Sequence, residues 1–276
     1  MGLGYLWDRA SDFLMWLLTT FYDLTNSWGL AIIALTLLVR LAMHPLTQKQ
    51  MGSMQRMQKL QPRMKVLQEK YKDDKDTLNR EVMALYKENK VNPAAGCLPL
   101  LIQLPILILF YNVLRDASTQ ENFINSTFLT IHLDGSFLST IADAINLVDA
   151  VTGVPLAREQ LGFMVVVFSA MTNPSLLFAN LGMWLPNTVL LVSIGILTWY
   201  QQHLTSPGNP QMQMMNWFMP IFLTWICLPI PGGVLLYWGV SSLIGVASQL
   251  RIMFKTKQEM QEKPLLLQDK PAHKPD

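Results

Sequence analysis

Five apolar stretches, Trp28–Leu46, Ala95–Leu114, Leu185–Leu204, Trp217–Pro231 and Gly232–Phe254, alternate with segments that hold nearly all the charge of the chain. Most of them approach the roughly 20 residues that an α-helix needs to cross the hydrocarbon of a bilayer. Backbone in hydrocarbon has no water to bond, so each stretch must satisfy its own amides and carbonyls, as a helix does. The fold class expected is an all-α polytopic membrane protein with five transmembrane helices. Composition agrees: 51% of residues are hydrophobic and 14% charged, with a mean hydropathy of +0.26, against about 25% charged in an ordinary soluble domain. The fourth stretch is short and carries Pro220, Pro229 and Pro231. Its join to the fifth, Pro229-Ile230-Pro231-Gly232-Gly233, is turn chemistry, since proline fixes φ and glycine supplies positive φ.

Two further apolar stretches are ambiguous. In residues 1–25, Asp8, Asp12, Thr19 and Asp23 mark one polar face beside Phe13–Phe21, the pattern of an amphipathic helix lying in the membrane interface. The segment lacks a basic leader and a small-residue cleavage site, unlike a signal peptide. The stretch Leu161–Trp184 is broken by Thr172-Asn173-Pro174-Ser175 and is expected to form two interfacial or re-entrant pieces within a long loop, 116–183.

Charge gives the orientation. Residues 48–92 hold eleven Lys/Arg against six Asp/Glu, and the tail from Arg251 holds six against four. The segment 116–183 holds Arg158 alone against six acids. Basic segments stay on the cytoplasmic side, which puts the N-terminus and the 116–183 loop outside. The 48–92 segment, the short 205–216 loop and the tail 255–276, expected to be disordered, lie inside. A sixth span would place the tail outside and break the charge rule.

The 48–92 segment has an organisation of its own. Met64, Leu67 and Tyr71, then Leu78, Val82 and Leu85, recur at helical spacing on either side of Asp73-Asp74-Lys75-Asp76. The pattern predicts a helical hairpin whose arms face each other with apolar stripes. Pro62 should kink the first arm or start a new turn in it. Met54, Met57 and Met64 are either packing between the arms or an adaptable surface for capturing apolar segments, the two uses of flexible, polarizable methionine. Met212, Met214 and Met215 form a second cluster before the fourth span.

Arg40 lies inside the first apolar stretch. A guanidinium in hydrocarbon costs roughly 2.5–3.5 kcal/mol on insertion scales, so it is a functional candidate unless it snorkels to the headgroups. Thr36, Arg40 and His44 are spaced to share one helix face, which suits a wet cavity better than lipid. Gln103, Thr198, Gln201, Gln202, Ser241, Ser242, Ser248 and Gln249 add polar groups to other spans, either as interhelical hydrogen bonds or around one hydrated groove open to the cytoplasm.

Enzyme motifs are missing: there is no Gly-rich phosphate loop, HExxH, GxSxG or pair of carboxylates within the spans. Cys97 and Cys227 lie in apolar stretches and the four histidines are scattered, so neither a metal nor another cofactor is expected. Net charge is only +2, which gives no electrostatic case for reading nucleic acid.

Several runs carry a family resemblance. They are Leu60-Gln61-Pro62-Arg63-Met64-Lys65, Gln68-Glu69-Lys70-Tyr71-Lys72, Leu85-Tyr86-Lys87-Glu88 and Val91-Asn92-Pro93-Ala94-Ala95-Gly96-Cys97-Leu98-Pro99-Leu100-Leu101-Ile102-Gln103-Leu104-Pro105-Ile106. Gly29 to Ile33, Val39-Arg40, Pro45-Leu46, Tyr200-Gln201-Gln202, Met219-Pro220 and Pro231 to Trp238 continue them. In order, spacing and charge topology over residues 25 to 255, the chain resembles the YidC/Oxa1/Alb3 membrane-protein insertases. It resembles the compact five-span bacterial form without the large periplasmic domain of Gram-negative members, which points to a Gram-positive-type plasma membrane.

The resemblance implies an insertase and foldase with a positively charged hydrophilic groove, open to cytoplasm and lipid and closed outside. It maps the groove charge onto Arg40, the third-span glutamine onto Gln201 with Gln202 as the neighbouring choice, and the fifth-span tryptophan onto Trp238. Polarity adds Gln103 and Thr36 to the groove. Implied partners are nascent membrane proteins and membrane lipids, with the ribosome, the signal recognition pathway and the Sec translocon as further ones. The long 116–183 loop and short, mildly basic tail depart from the compact form. A Sec-dependent chaperone with no translocation step and a solute or ion transporter stand as alternatives, although no internal repeat of the transporter kind is present.

Overall fold

The computed structural model describes residues 3–89, 91, 98–117, 120, 122–124, 126–147, 162–205 and 210–262. Helices make up most of it. In chain order they are α1 (Leu3–Thr25), α2 (Trp28–Ala42), α3 (His44–Lys59), α4 (Gln61–Lys70), α5 (Lys75–Glu88), α6 (Leu98–Ala117), α7 (Phe137–Ala144), α8 (Phe163–Thr172), α9 (Pro174–Ala179), α10 (Leu181–Thr205), α11 (Pro210–Ile226) and α12 (Gly232–Glu262). A two-residue antiparallel hairpin, β1 (Thr127–Phe128) and β2 (Ile131–His132), lies between α6 and α7, with Thr127 opposite His132 and Phe128 opposite Ile131.

Two helical segments are long and apolar enough to cross a bilayer, Leu181–Leu204 and Gly232–Phe254; Trp28–Ala42 and Trp217–Ile226 are apolar but shorter. The 20 residues of α6 reach about 30 Å at helical rise, the thickness of the hydrocarbon. Helix α12 is central, packing against α10, α2, α3 and α6. Its Val234, Leu235 and Tyr237 are buried among Ile32 and Leu35 of α2, Phe110 and Val113 of α6 and Ile194 of α10. Small residues set the approach of the helices. A Cβ on Gly195 would stand 2.8 Å from Thr224 Oγ1 of α11, and one on Gly245 of α12 would stand 2.8 Å from Gln201 Nε2 of α10. Close backbones of this kind are how helices gain contact where burial against lipid drives little.

The first apolar stretch is shorter as a helix than its sequence. It ends at Ala42, and α3 starts afresh at His44, because the ring of Pro45 would meet the Leu41 carbonyl in a continuous helix. His44 therefore leaves the helix of Thr36 and Arg40 and bonds Gln48 at 2.9 Å on α3. Helix α3 packs against α12 and α6, so the first hairpin arm begins against the bundle and only α4 pairs with α5. Pro62 stands in the first turn of α4, where its missing N–H costs nothing. Leu60, Met64, Leu85, Tyr86 and Val91 form a separate small core. The Met-rich run before Trp217 is helical, as the start of α11, and the first residues of the tail extend α12 to Glu262. Ala95, Gly96 and Cys97, and the tail beyond Glu262, lie outside the described residues.

The N-terminal helix turns into α2 through Asn26, at φ 50°, a left-handed position asparagine tolerates. It lies on α2 and α6 with Leu14 and Leu18 buried. Tyr22 stacks on Trp28 at 4.1 Å between centroids, and Trp28 Nε1 donates to the Asn122 carbonyl at 2.9 Å.

The 116–183 segment folds further than interfacial pieces alone would. Its hairpin and the following turn sit on the α11–α12 connection: Gly232 N donates to Gly135 O at 2.9 Å, Gly233 N to Leu133 O at 2.8 Å, and Leu138 N to Leu228 O at 3.4 Å. Only glycine fits at 232, where a Cβ would collide with the His132 carbonyl. Asn187 of α10, fully buried, binds this assembly from the side. Its Oδ1 accepts from His132 N at 2.9 Å, and its Nδ2 donates to His132 O at 3.1 Å and Gly135 O at 3.0 Å. A box of Ser136 and Ser139 caps α7.

Candidate functional site

Three helices bring their polar groups together at one point. Arg40 stands in the last turn of α2, half-buried, and its Nη2 donates to Gln103 Oε1 of α6 at 3.3 Å. The other end of the same amide, Gln103 Nε2, donates to the Tyr237 hydroxyl of α12 at 2.8 Å. The Tyr237 ring is buried and stacks on Phe110 at 3.9 Å between centroids, with planes 19° apart. The chain Arg40–Gln103–Tyr237 has only one consistent hydrogen-bonding sense. A guanidinium has donors only, so the glutamine oxygen must face it and the NH2 must face the phenol oxygen.

Arg40 keeps its charge uncompensated. Among the described residues it pairs with no carboxylate, and its hydrogen-bond partner is a neutral amide. An arginine presents five N–H donors, so most remain available to an anion that enters from the half-exposed side. Burying such a charge without a counter-ion is costly, which makes Arg40 a candidate functional residue.

The other expected groove residues are distributed differently. Thr36 is fully buried and gives its hydroxyl to Ile32 O at 2.6 Å, so its own helix satisfies it. Gln201 lies over Gly245 in the α10–α12 contact. Gln202 is half-buried on α10, with its Oε1 shut away from solvent and without a hydrogen-bond partner among the described residues. Trp238 is buried in the main core. The polar partner on α12 is instead its neighbour Tyr237, about 100° away around the helix. Its sequence signal was a hydroxyl inside the run Leu235-Leu236-Tyr237-Trp238, where an aromatic counts as apolar.

In the cytoplasmic hairpin, Met64 is buried between the arms, with the Tyr86 hydroxyl 3.7 Å from its Sδ; it packs the seam instead of presenting a surface. Burial pushes the Tyr86 phenol up from its ordinary value. The side chains of Met54 and Met57 lie outside the described residues. Among the described residues no three His, Cys, Asp or Glu side chains gather as metal ligands would.

Comparison with known proteins gives one consistent family. The model of the 60Kd inner membrane protein family matches residues 20–259. The chain is 36% identical over 233 residues to a membrane protein insertase YidC of Lawsonia intracellularis, covering 84% of this chain and 36% of that protein. It is 33% identical over 240 residues to the membrane protein insertase YidC of Francisella tularensis subsp. novicida, covering 87% of this chain and 35% of that one. The chain thus spans about a third of the length of these curated relatives. A crystal structure of an active YidC insertase with its first transmembrane domain resolved aligns with a TM-score of 0.57 at 27% identity, over 88% of this chain and 46% of that one.

Proposed function

Since the chain belongs to the 60Kd inner membrane protein family, we propose that it is a membrane protein insertase and chaperone, inserting newly made membrane proteins and helping them fold. The single observation that carries the reading is Arg40, half-buried, bonded to a neutral amide and without a carboxylate partner among the described residues. A charge held in that state attracts the acidic residues of a hydrophilic tail.

The groove lies where α2, α6 and α12 meet, with α10 as the wall behind α12. A tail drawn toward Arg40 crosses only the remaining part of the hydrocarbon. The apolar segment that follows slides sideways into lipid, and burial of its surface, about 25 cal/mol per Å², drives the step without ATP and without a covalent bond being made or broken. The hydrogen-bonded assembly of β2, Leu133, Gly135, Asn187 and the α11–α12 turn closes the outer end. The basic 48–92 segment meets substrates first on the cytoplasmic side, with Met54 and Met57 of α3 as its adaptable contacts. The topology we propose is a bacterial plasma-membrane protein with five spans, N-terminus outside and C-terminus inside. Its partners are nascent membrane proteins and lipids, with ribosome, signal recognition pathway and Sec translocon upstream.

The test is insertion of a purified single-span substrate with an acidic N-terminal tail into liposomes with and without the protein, scored by protease protection. Protection should require the protein and fall at least about tenfold with Arg40→Ala, the scale of a lost hydrogen bond to a charged group. Arg40→Lys should retain much of the activity if charge is what matters. Absence of protein-dependent protection from a folded sample would leave a chaperone that needs Sec, or a transporter.

A further inference from the structure

Arg40 sits in the last turn of α2, two residues before the helix end at Ala42. An arginine so placed ordinarily extends its side chain along the helix until the guanidinium reaches the headgroups. Here the side chain instead reaches sideways across to α6. What holds it there is Gln103 Oε1, which faces Arg40 because a guanidinium has donors only, while the Tyr237 hydroxyl anchors the other end of the amide. A carboxamide held at one end only could swing away from the guanidinium on its remaining torsions; the bond to the phenol oxygen removes that freedom. The phenol is fixed in turn by stacking on Phe110 and by complete burial of its ring.

We propose that Tyr237 is a positioning residue of the groove: through Gln103 it tethers the Arg40 guanidinium at the α2–α6–α12 junction and so sets the preference for acidic substrate tails. This rests on the insertase reading above and deepens it, from the presence of a charge to what fixes that charge in place. Tyr237 touches no substrate in this scheme. Without its hydroxyl the amide loses its anchor on α12, Arg40 is released toward the headgroups, and acidic and neutral tails are handled more alike.

Tyr237→Phe removes one oxygen and keeps the ring against Phe110. The measurement is the ratio of protease-protected acidic-tailed to neutral-tailed single-span substrate, in proteoliposomes of the full chain, for wild type, Tyr237→Phe, Gln103→Leu and the double variant. The ratio should drop about five- to tenfold in each single variant, within the range for hydrogen bonds in a chain ending on a charged group. It should drop no further in the double variant, because both changes cut the same tether. A merely structural role would lower protection of both substrates together and leave the ratio where it was. An unchanged ratio in Tyr237→Phe, or single effects that multiply in the double variant, would overturn the tether while leaving the insertase reading intact. No protection by the wild type would overturn both.

Discussion

At the scale of single residues, the chain tolerates unfavourable local states where something larger holds them. The hairpin tip between β1 and β2 places Leu129 at φ 49° and Thr130 at φ 69°, the positions of a two-residue turn that strongly favours an Asn-Gly pair. Neither residue suits positive φ, and Leu129 is 79% exposed at the tip. The double substitution Leu129→Asn with Thr130→Gly should stabilise the protein by about 1 kcal/mol, visible as a higher Tm in detergent. Asn187 is the opposite case, a polar residue whose burial is fully answered. Asn187→Leu keeps the volume and removes three hydrogen bonds, leaving the His132 N–H and carbonyl wanting while Gly135 O keeps Gly232 N. At about 1 kcal/mol or more for each of the two groups left unmade, the loss should reach about 2 kcal/mol, with faster amide exchange at Gly232 and Gly233 as the local signature. Residue roles were only partly legible beforehand. Arg40 and Gln103 stand out as polar groups in apolar runs, yet nothing in a single chain ties position 40 to position 103, and Tyr237 hides its hydroxyl within a hydrophobic motif.

At the scale of elements, proline and local caps decide most boundaries. Pro45 separates α2 from α3, Pro62 opens α4, and Pro174 opens α9 after Asn173. Asp74 caps α5: its carboxylate accepts from Thr77 N at 3.0 Å and from Thr77 Oγ1 at 2.6 Å, and these bonds hold the carboxyl below its ordinary value. A carboxylate with a depressed folded pKa stabilises fully above its unfolded value, near 3.8, and loses that contribution as pH falls through the lower folded one. Amide exchange at Thr77 should therefore be slow at neutral pH and accelerate below pH 3.8. In Asp74→Asn, which can still cap, the exchange should lose that acid sensitivity once intrinsic rates are divided out. Long helices and the charged bend could be read from periodicity. The β1–β2 hairpin could not, because two residues per strand give no alternation to detect and its turn lacks the usual residues. Helix α7 has serine where a capping box usually carries Glu or Gln, which concealed its start.

For the molecule as a whole, apolar stretches and charge asymmetry were enough to expect a helical membrane protein, and the family match agrees. The packing order was beyond reach, since Gly195 and Gly245 reveal themselves as contact points only once their neighbours, Thr224 and Gln201, are known. So was the fit of the 116–183 segment onto the α11–α12 turn, which joins Leu133 to Gly233 and Gly135 to Gly232 across most of the second half of the chain. The tethered guanidinium has one more consequence, an electrical one. A charge that cannot travel contributes nothing to the work done by a transmembrane voltage. If Arg40 stays anchored during insertion, the displaced charge is that of the substrate alone, worth about 2.3 kcal/mol per elementary charge carried across 100 mV. The voltage sensitivity of the process would then be written in the substrate's tail, and each acidic residue added there would steepen it by the same increment.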